Sequence, residues 1–152
     1  MNEKELFLKE NGYYVSTPSG RSMRPFIKGG VDVVTVLPLD GEAALFDAVL
    51  YYRSNGEHVI HRIVWKKKDL YLIRGDNCYY TERVPKERVS GVVHTIQRGE
   101  KTVSVKTGGY RLAVFIWHMI YPLRFLMHGA YRCLVRIQNR ARGRKNTYEE
   151  KT

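Results

Sequence analysis

Three short segments hold side chains whose types could act together on an acyl group. The first is Gly20-Arg21-Ser22-Met23-Arg24-Pro25, which sets a hydroxyl between a glycine and a proline. Those two residues force an irregular backbone, able to present an Oγ and a free N–H together. Serine is a weak nucleophile unless a base lies beside it. The second segment, Val59-Ile60-His61-Arg62-Ile63-Val64, offers an imidazole in the middle of an apolar run. Arg62 must face the other side of such a strand, and a polar ring on a core-facing position needs a partner. The third, Gly75-Asp76-Asn77, is a tight turn that could aim a carboxylate at an imidazole. Singly, each is ordinary: Ser22 is one of six serines, His61 reads as a structural histidine, and Gly-Asp-Asn is a common turn. Their joint occurrence, in this order, points to Ser22 as nucleophile, His61 as base and Asp76 as the group that orients it.

The elements that must position these groups are mostly strands. Residues 2–10 predict a short amphipathic helix stopped by Asn11-Gly12, and Tyr13–Val15 begins an alternating pattern. Residues 31–37, 47–53, 57–65, 69–75, 88–97 and 101–106 are rich in Val, Ile and Tyr, with Ser54-Asn55-Gly56 and Arg98-Gly99-Glu100 between runs. That pattern predicts antiparallel hairpins and a mainly β body, a coiled or partly closed sheet. After Thr107-Gly108-Gly109 the pattern changes to a helix over 111–137. Arg111, His118, Arg124, His128, Arg132 and Arg136 fall within a sector of roughly 140° of it, and the remainder is almost wholly apolar. Pro122 predicts a kink near its middle. The organisation expected is therefore a β domain over 1–107, an amphipathic helix over 108–137 and a solvated basic tail over 138–152.

Composition narrows the setting. The 152 residues are 43% hydrophobic, enough for one packed core, and carry a formal charge of +11. From Arg124 onward there are eight Lys/Arg against two Glu, so over half of the excess lies at that end. A basic, otherwise apolar helix with Trp117, Tyr121 and Tyr131 suits the surface of an anionic membrane, or packing on the sheet or on a second copy. A nucleic-acid role is the weaker expectation, because the arginines do not line an aromatic-studded groove. Cys78 and Cys133 lack metal-type or CxxC spacing and read as free thiols, the five histidines form no zinc pattern, and no metal or cofactor is expected. The start, MNEKELFLKENG, is charged and has no apolar core of leader length.

Four boxes resemble those of the signal-peptidase and self-cleaving-repressor superfamily of serine peptidases, and more closely its endoplasmic-reticulum and archaeal signal peptidases. Gly20–Pro25 resembles the nucleophile box, a serine followed by Met-x-Pro. Phe46-Asp47-Ala48-Val49-Leu50 resembles the Gly-Asp-hydrophobic strand opener, Ile60–Val64 the His-Arg-Ile/Val base box, and Ile73–Asn77 the Gly-Asp-Asn box. Val84–Lys86 and Ser90–Val93 resemble the strand that follows. The resemblance covers residues 13–97 and implies a coiled antiparallel catalytic core that cleaves peptide bonds after small residues. It also implies a Ser-His mechanism, since most bacterial members have lysine where this chain has His61. For the carboxylate it points to Asp76, with Glu82 kept open.

The departures are specific. Gly20 stands where bacterial members place a serine that helps the oxyanion hole, the Gly-Asp after the nucleophile loop is spread over Gly29-Gly30-Val31-Asp32, and the amino-terminal anchor of the family is not seen. These features predict a cytoplasmic peptidase held peripherally on the membrane by 111–137 and the tail. An integral protein spanning through that helix is the alternative location, and an inactive module of the same fold, used for dimerisation or regulation, the alternative function.

Overall fold

Branched and aromatic residues alternate through the body of the chain, and they form eight strands. These are β1 (Tyr14–Ser16), β2 (Val33–Pro38), β3 (Ala48–Tyr52), β4 (His58–Lys66), β5 (Leu70–Arg74), β6 (Glu82–Pro85), β7 (Val89–Arg98) and β8 (Lys101–Ser104). Helix α1 (Glu3–Asn11) precedes them and α2 (Gly108–Met119) follows. The computed structural model describes residues 3–129, 131–133 and 135–136, so the tail expected over 138–152 lies outside the described residues.

The strands make one antiparallel sheet in the order β1-β2-β7-β3-β4-β5-β6. The long strand β7 lies against β2 on one edge and shares its other edge between β3 and β8. Register shifts at Thr35/Val36, Leu50/Tyr51 and Ile63/Trp65 bend the strands and increase their twist. The sheet is not closed. The partial closure expected from sequence does not form, because the short strands β1 and β6 end the order without meeting.

Alternation along the strands splits the core between two faces. Ala48, Leu50, Ile60, Val34, Val36, Val93 and Ile96 join Leu8 of α1 and Met23 and Ile27 of the serine loop in one cluster. Val49, Tyr51, Ile63, Tyr71, Ile73, Val84 and Val89 form the other. Gly91 allows α1 to dock, since a Cβ there would lie 2.5 Å from the Leu37 carbonyl and 2.9 Å from Leu8.

The chain divides into compact units at 1–115 and 116–152, so the first two turns of α2 belong with the sheet. Val114 is buried, and Tyr110 packs against the first cluster. Helix α2 ends at Met119, and helix resumes over 121–129. Pro122 accounts for the interruption, because it has no N–H to give the His118 carbonyl. Along α2, His118 is 7% exposed while Leu112, Phe115, Ile116 and Met119 lie open to solvent. His118, in the polar sector expected from sequence, is therefore buried, and these four apolar residues are exposed. No helix among the described residues is long and apolar enough to cross a membrane.

Candidate active site

A cavity of about 310 Å³ lies where the serine loop meets β1, β3 and β4, and both Ser22 and His61 line it. The serine loop is fixed from two sides. On one, a Cβ at Gly29 would sit 2.1 Å from the Gly20 carbonyl, and Gly30 N–H donates to Pro18 at 2.8 Å. On the other, the Asn77 N–H donates to the Ser22 carbonyl at 2.7 Å. The Asp32 carboxylate accepts from the Lys28 N–H at 2.7 Å and from Arg98 Nε at 2.7 Å, which pins the end of the loop to β7.

Gly75 lies beside both the Ser22 carbonyl and the imidazole. A Cβ at that position would be 2.7 Å from the Ser22 carbonyl oxygen, 2.8 Å from Cys78 Sγ and 3.1 Å from His61 Nε2. The missing side chain leaves the room in which the Ser22 loop and the Nε2 edge of the ring approach each other. Gly-Asp-Asn is thus a junction of three tasks: close approach at Gly75, a charge pair at Asp76, and a loop anchor at Asn77.

The other edge of the imidazole is buried and hydrogen-bonded. Tyr51 Oη lies 3.2 Å from His61 Nδ1, and Glu82 Oε1 lies 3.6 Å from the same nitrogen. The Glu82 charge also acts on Tyr51. Burial, and next the Glu82 charge, push the Tyr51 phenol well above its usual range, so it remains protonated. When Nδ1 carries the ring proton, the phenol oxygen accepts from it. That arrangement leaves Nε2 as the bare lone pair on the Ser22 side. Arg53 holds Glu82 through Nε at 2.9 Å and Nη2 at 2.6 Å, which keeps its carboxyl below the usual range. Burial lowers the His61 pKa and the Glu82 charge partly restores it.

Asp76 is placed differently from the sequence expectation. Both its oxygens take hydrogen bonds from Arg62, at 2.7 and 2.8 Å, and Arg62 is 1% exposed. Strand alternation is the reason: His61 and Arg62 point to opposite faces of β4, and Asp76 serves the second. Glu82, the other carboxylate named from sequence, is the one within 4 Å of the ring. Tyr51 was not singled out from sequence, although it sits two positions from Val49, the β3 partner of His61. His58, expected on the face opposite His61, also lines the cavity, whose wall takes in five consecutive residues, 57–61.

A strand at the end of the sheet lies beside this cavity. β2 and β7 both have neighbours on each edge. β1, whose Tyr14 and Ser16 line the cavity, ends the sheet instead. No protein-family model matches the chain, and the search of curated proteins gives no match either.

Proposed function

We propose that this chain is a serine endopeptidase of the signal-peptidase type, acting through Ser22 and His61. The carrying observation is that both residues line one cavity, with the bare α-carbon of Gly75 between the Ser22 carbonyl and the Nε2 edge of the ring. Neutral His61 takes the Ser22 proton at Nε2 as Oγ attacks the scissile carbonyl. The resulting imidazolium is stabilised from Nδ1 by Tyr51 and by the Glu82 charge. The Ser22 N–H holds the developing oxyanion. His61 then gives its proton to the leaving amine, and water, activated by the same nitrogen, releases the acyl group. Substrate runs as an added strand along the outer edge of β1.

The partner surface is an anionic bilayer. Leu112, Phe115, Ile116, Met119, Leu123 and Leu126 are all exposed along α2 and 121–129, in company with Arg111 and Arg124. A dimerisation module is the alternative, but it gives no use to a buried imidazole whose second nitrogen is held by Tyr51 and Glu82. The test is cleavage of a small-residue peptide panel, together with labelling of Ser22 by a fluorophosphonate. Ser22→Ala and His61→Ala should each abolish turnover while the far-UV and thermal profiles stay unchanged. Full turnover in either variant removes the assignment.

A further inference from the structure

We propose that Tyr110, in the first turn of α2, is a positioning residue for the nucleophile loop, a role that rests on Ser22 being the nucleophile. Its hydroxyl lies 3.1 Å from Arg62 Nη2, and its ring meets the Phe26 ring edge-on at 5.5 Å. The Arg62 guanidinium lies 5.3 Å from the Phe26 ring centre and 5.8 Å from that of Tyr110. Phe26 follows Ser22 by four residues in the same loop. Tyr110 therefore touches the loop directly through Phe26.

It also reaches the loop by a second route. Arg62 binds Asp76 through two nitrogens, and the next residue, Asn77, gives its N–H to the Ser22 carbonyl at 2.7 Å. Both routes converge on one short stretch of backbone from opposite ends. The Arg62 charge is fully desolvated, so its partners hold it in one geometry; a loose guanidinium there would leave polar N–H groups unpaired. The Phe46 carbonyl fills a remaining donor at 2.8 Å. Without Tyr110, Arg62 loses one wall and one acceptor, and Phe26 loses the ring that backs it. Ser22 keeps its place in the chain but not its aim.

The helix that carries Tyr110 thus belongs to the catalytic framework rather than to an appendage, in keeping with its place in the 1–115 unit. Tyr110→Phe removes only the hydroxyl on Arg62; Tyr110→Ala removes the ring as well. The expected result is a kcat lower by a few-fold in the first and by up to about 100-fold in the second, with KM unchanged, because a displaced nucleophile costs rate rather than binding. Exchange of the Asn77 amide, followed by NMR, should speed up in the same order. Unchanged kcat and unchanged Asn77 exchange in a folded Tyr110→Ala protein overturn the proposal, even if its melting temperature falls. Should Tyr110→Ala not fold, Tyr110→Phe decides by the same two readouts. If the wild-type protein neither cleaves peptides nor labels at Ser22, the peptidase reading fails. Asn77 exchange then still judges whether Tyr110 holds the loop.

Discussion

The Tyr51 hydroxyl stands 3.2 Å from Nδ1 of His61, and the two residues are 0% and 2% exposed. A protonated phenol hydrogen-bonded to the imidazole can fix the ring tautomer. Tyr51→Phe removes that acceptor and should lower kcat about 10- to 100-fold with little change in KM. Glu82→Gln removes the charge beside Nδ1 with little change of shape, and should lower kcat by a smaller factor. Steady-state kinetics on one peptide decide this. Equal activity of Tyr51→Phe and wild type would return the orienting role to another group.

The pH dependence follows from where His61 lies. Burial holds its pKa below the ordinary imidazole value of about 6.5. A base must be neutral, so kcat/KM should show an acid limb with its midpoint below about 6.5 and a plateau above it. The Glu82 charge raises the His61 pKa, so Glu82→Gln should move that midpoint to lower pH. Stability has the same sign. Below the unfolded imidazole value the unfolded chain binds more protons than the folded one. The neutral ring's contribution is therefore complete above that value, and is lost as pH falls from it toward the lower, folded value. A midpoint above 6.5 in kcat/KM would show that a different group titrates.

Much of the fold was legible because its strands are long and β-branched. The runs at 57–65 and 88–97 correspond to β4 (His58–Lys66) and β7 (Val89–Arg98). β6 was not, since Glu82, Arg83 and Pro85 carry no strand signal and pair only because β5 offers an edge. Ser22 and His61 could be named from local patterns, a kinked loop and a polar residue in an apolar run. The partner of His61 could not. Tyr51 looks like any aromatic strand residue, and its contact depends on the β3–β4 register, in which Val49 faces His61. Phe46 was read as the counterpart of a glycine, and its φ of 67° is the backbone conformation that glycine adopts without strain. Asp76 was harder to place for a related reason: a turn sequence does not say which face of the neighbouring strand its carboxylate will meet.

Asp76 and Gly75 therefore predict opposite phenotypes one residue apart. Asp76→Asn leaves Arg62 buried beside a neutral partner, and removing one member of such a pair costs about 3–5 kcal/mol. A large fall in melting temperature is expected. Gly75→Ala places a methyl 2.7 Å from the Ser22 carbonyl and 3.1 Å from Nε2 of His61. It should cut turnover strongly with a smaller change in melting temperature, because it pushes the loop and the ring apart. Differential scanning fluorimetry and peptide cleavage on the two variants make the comparison. A stable Asp76→Asn protein with a lost acid limb would instead tie Asp76 to His61.

The outward side of the carboxy-terminal helices makes the last prediction. Leu123 is 59% exposed and Leu126 is 68% exposed, and Arg124 lies between them with its guanidinium over the Trp117 ring. Apolar side chains left in water beside a cation that can meet lipid phosphate match an interfacial helix, and each such cation contributes about 1 kcal/mol near an anionic surface. The protein should float with vesicles containing phosphatidylserine and remain unbound to purely zwitterionic ones, and salt should weaken the binding by screening. Leu123→Asp combined with Leu126→Asp should abolish flotation without touching Ser22 chemistry, since both side chains are open to solvent and neither lines the cavity. Binding that survives the double substitution would place the lipid contact elsewhere. Absence of binding by the wild type would leave these exposed leucines to a protein partner.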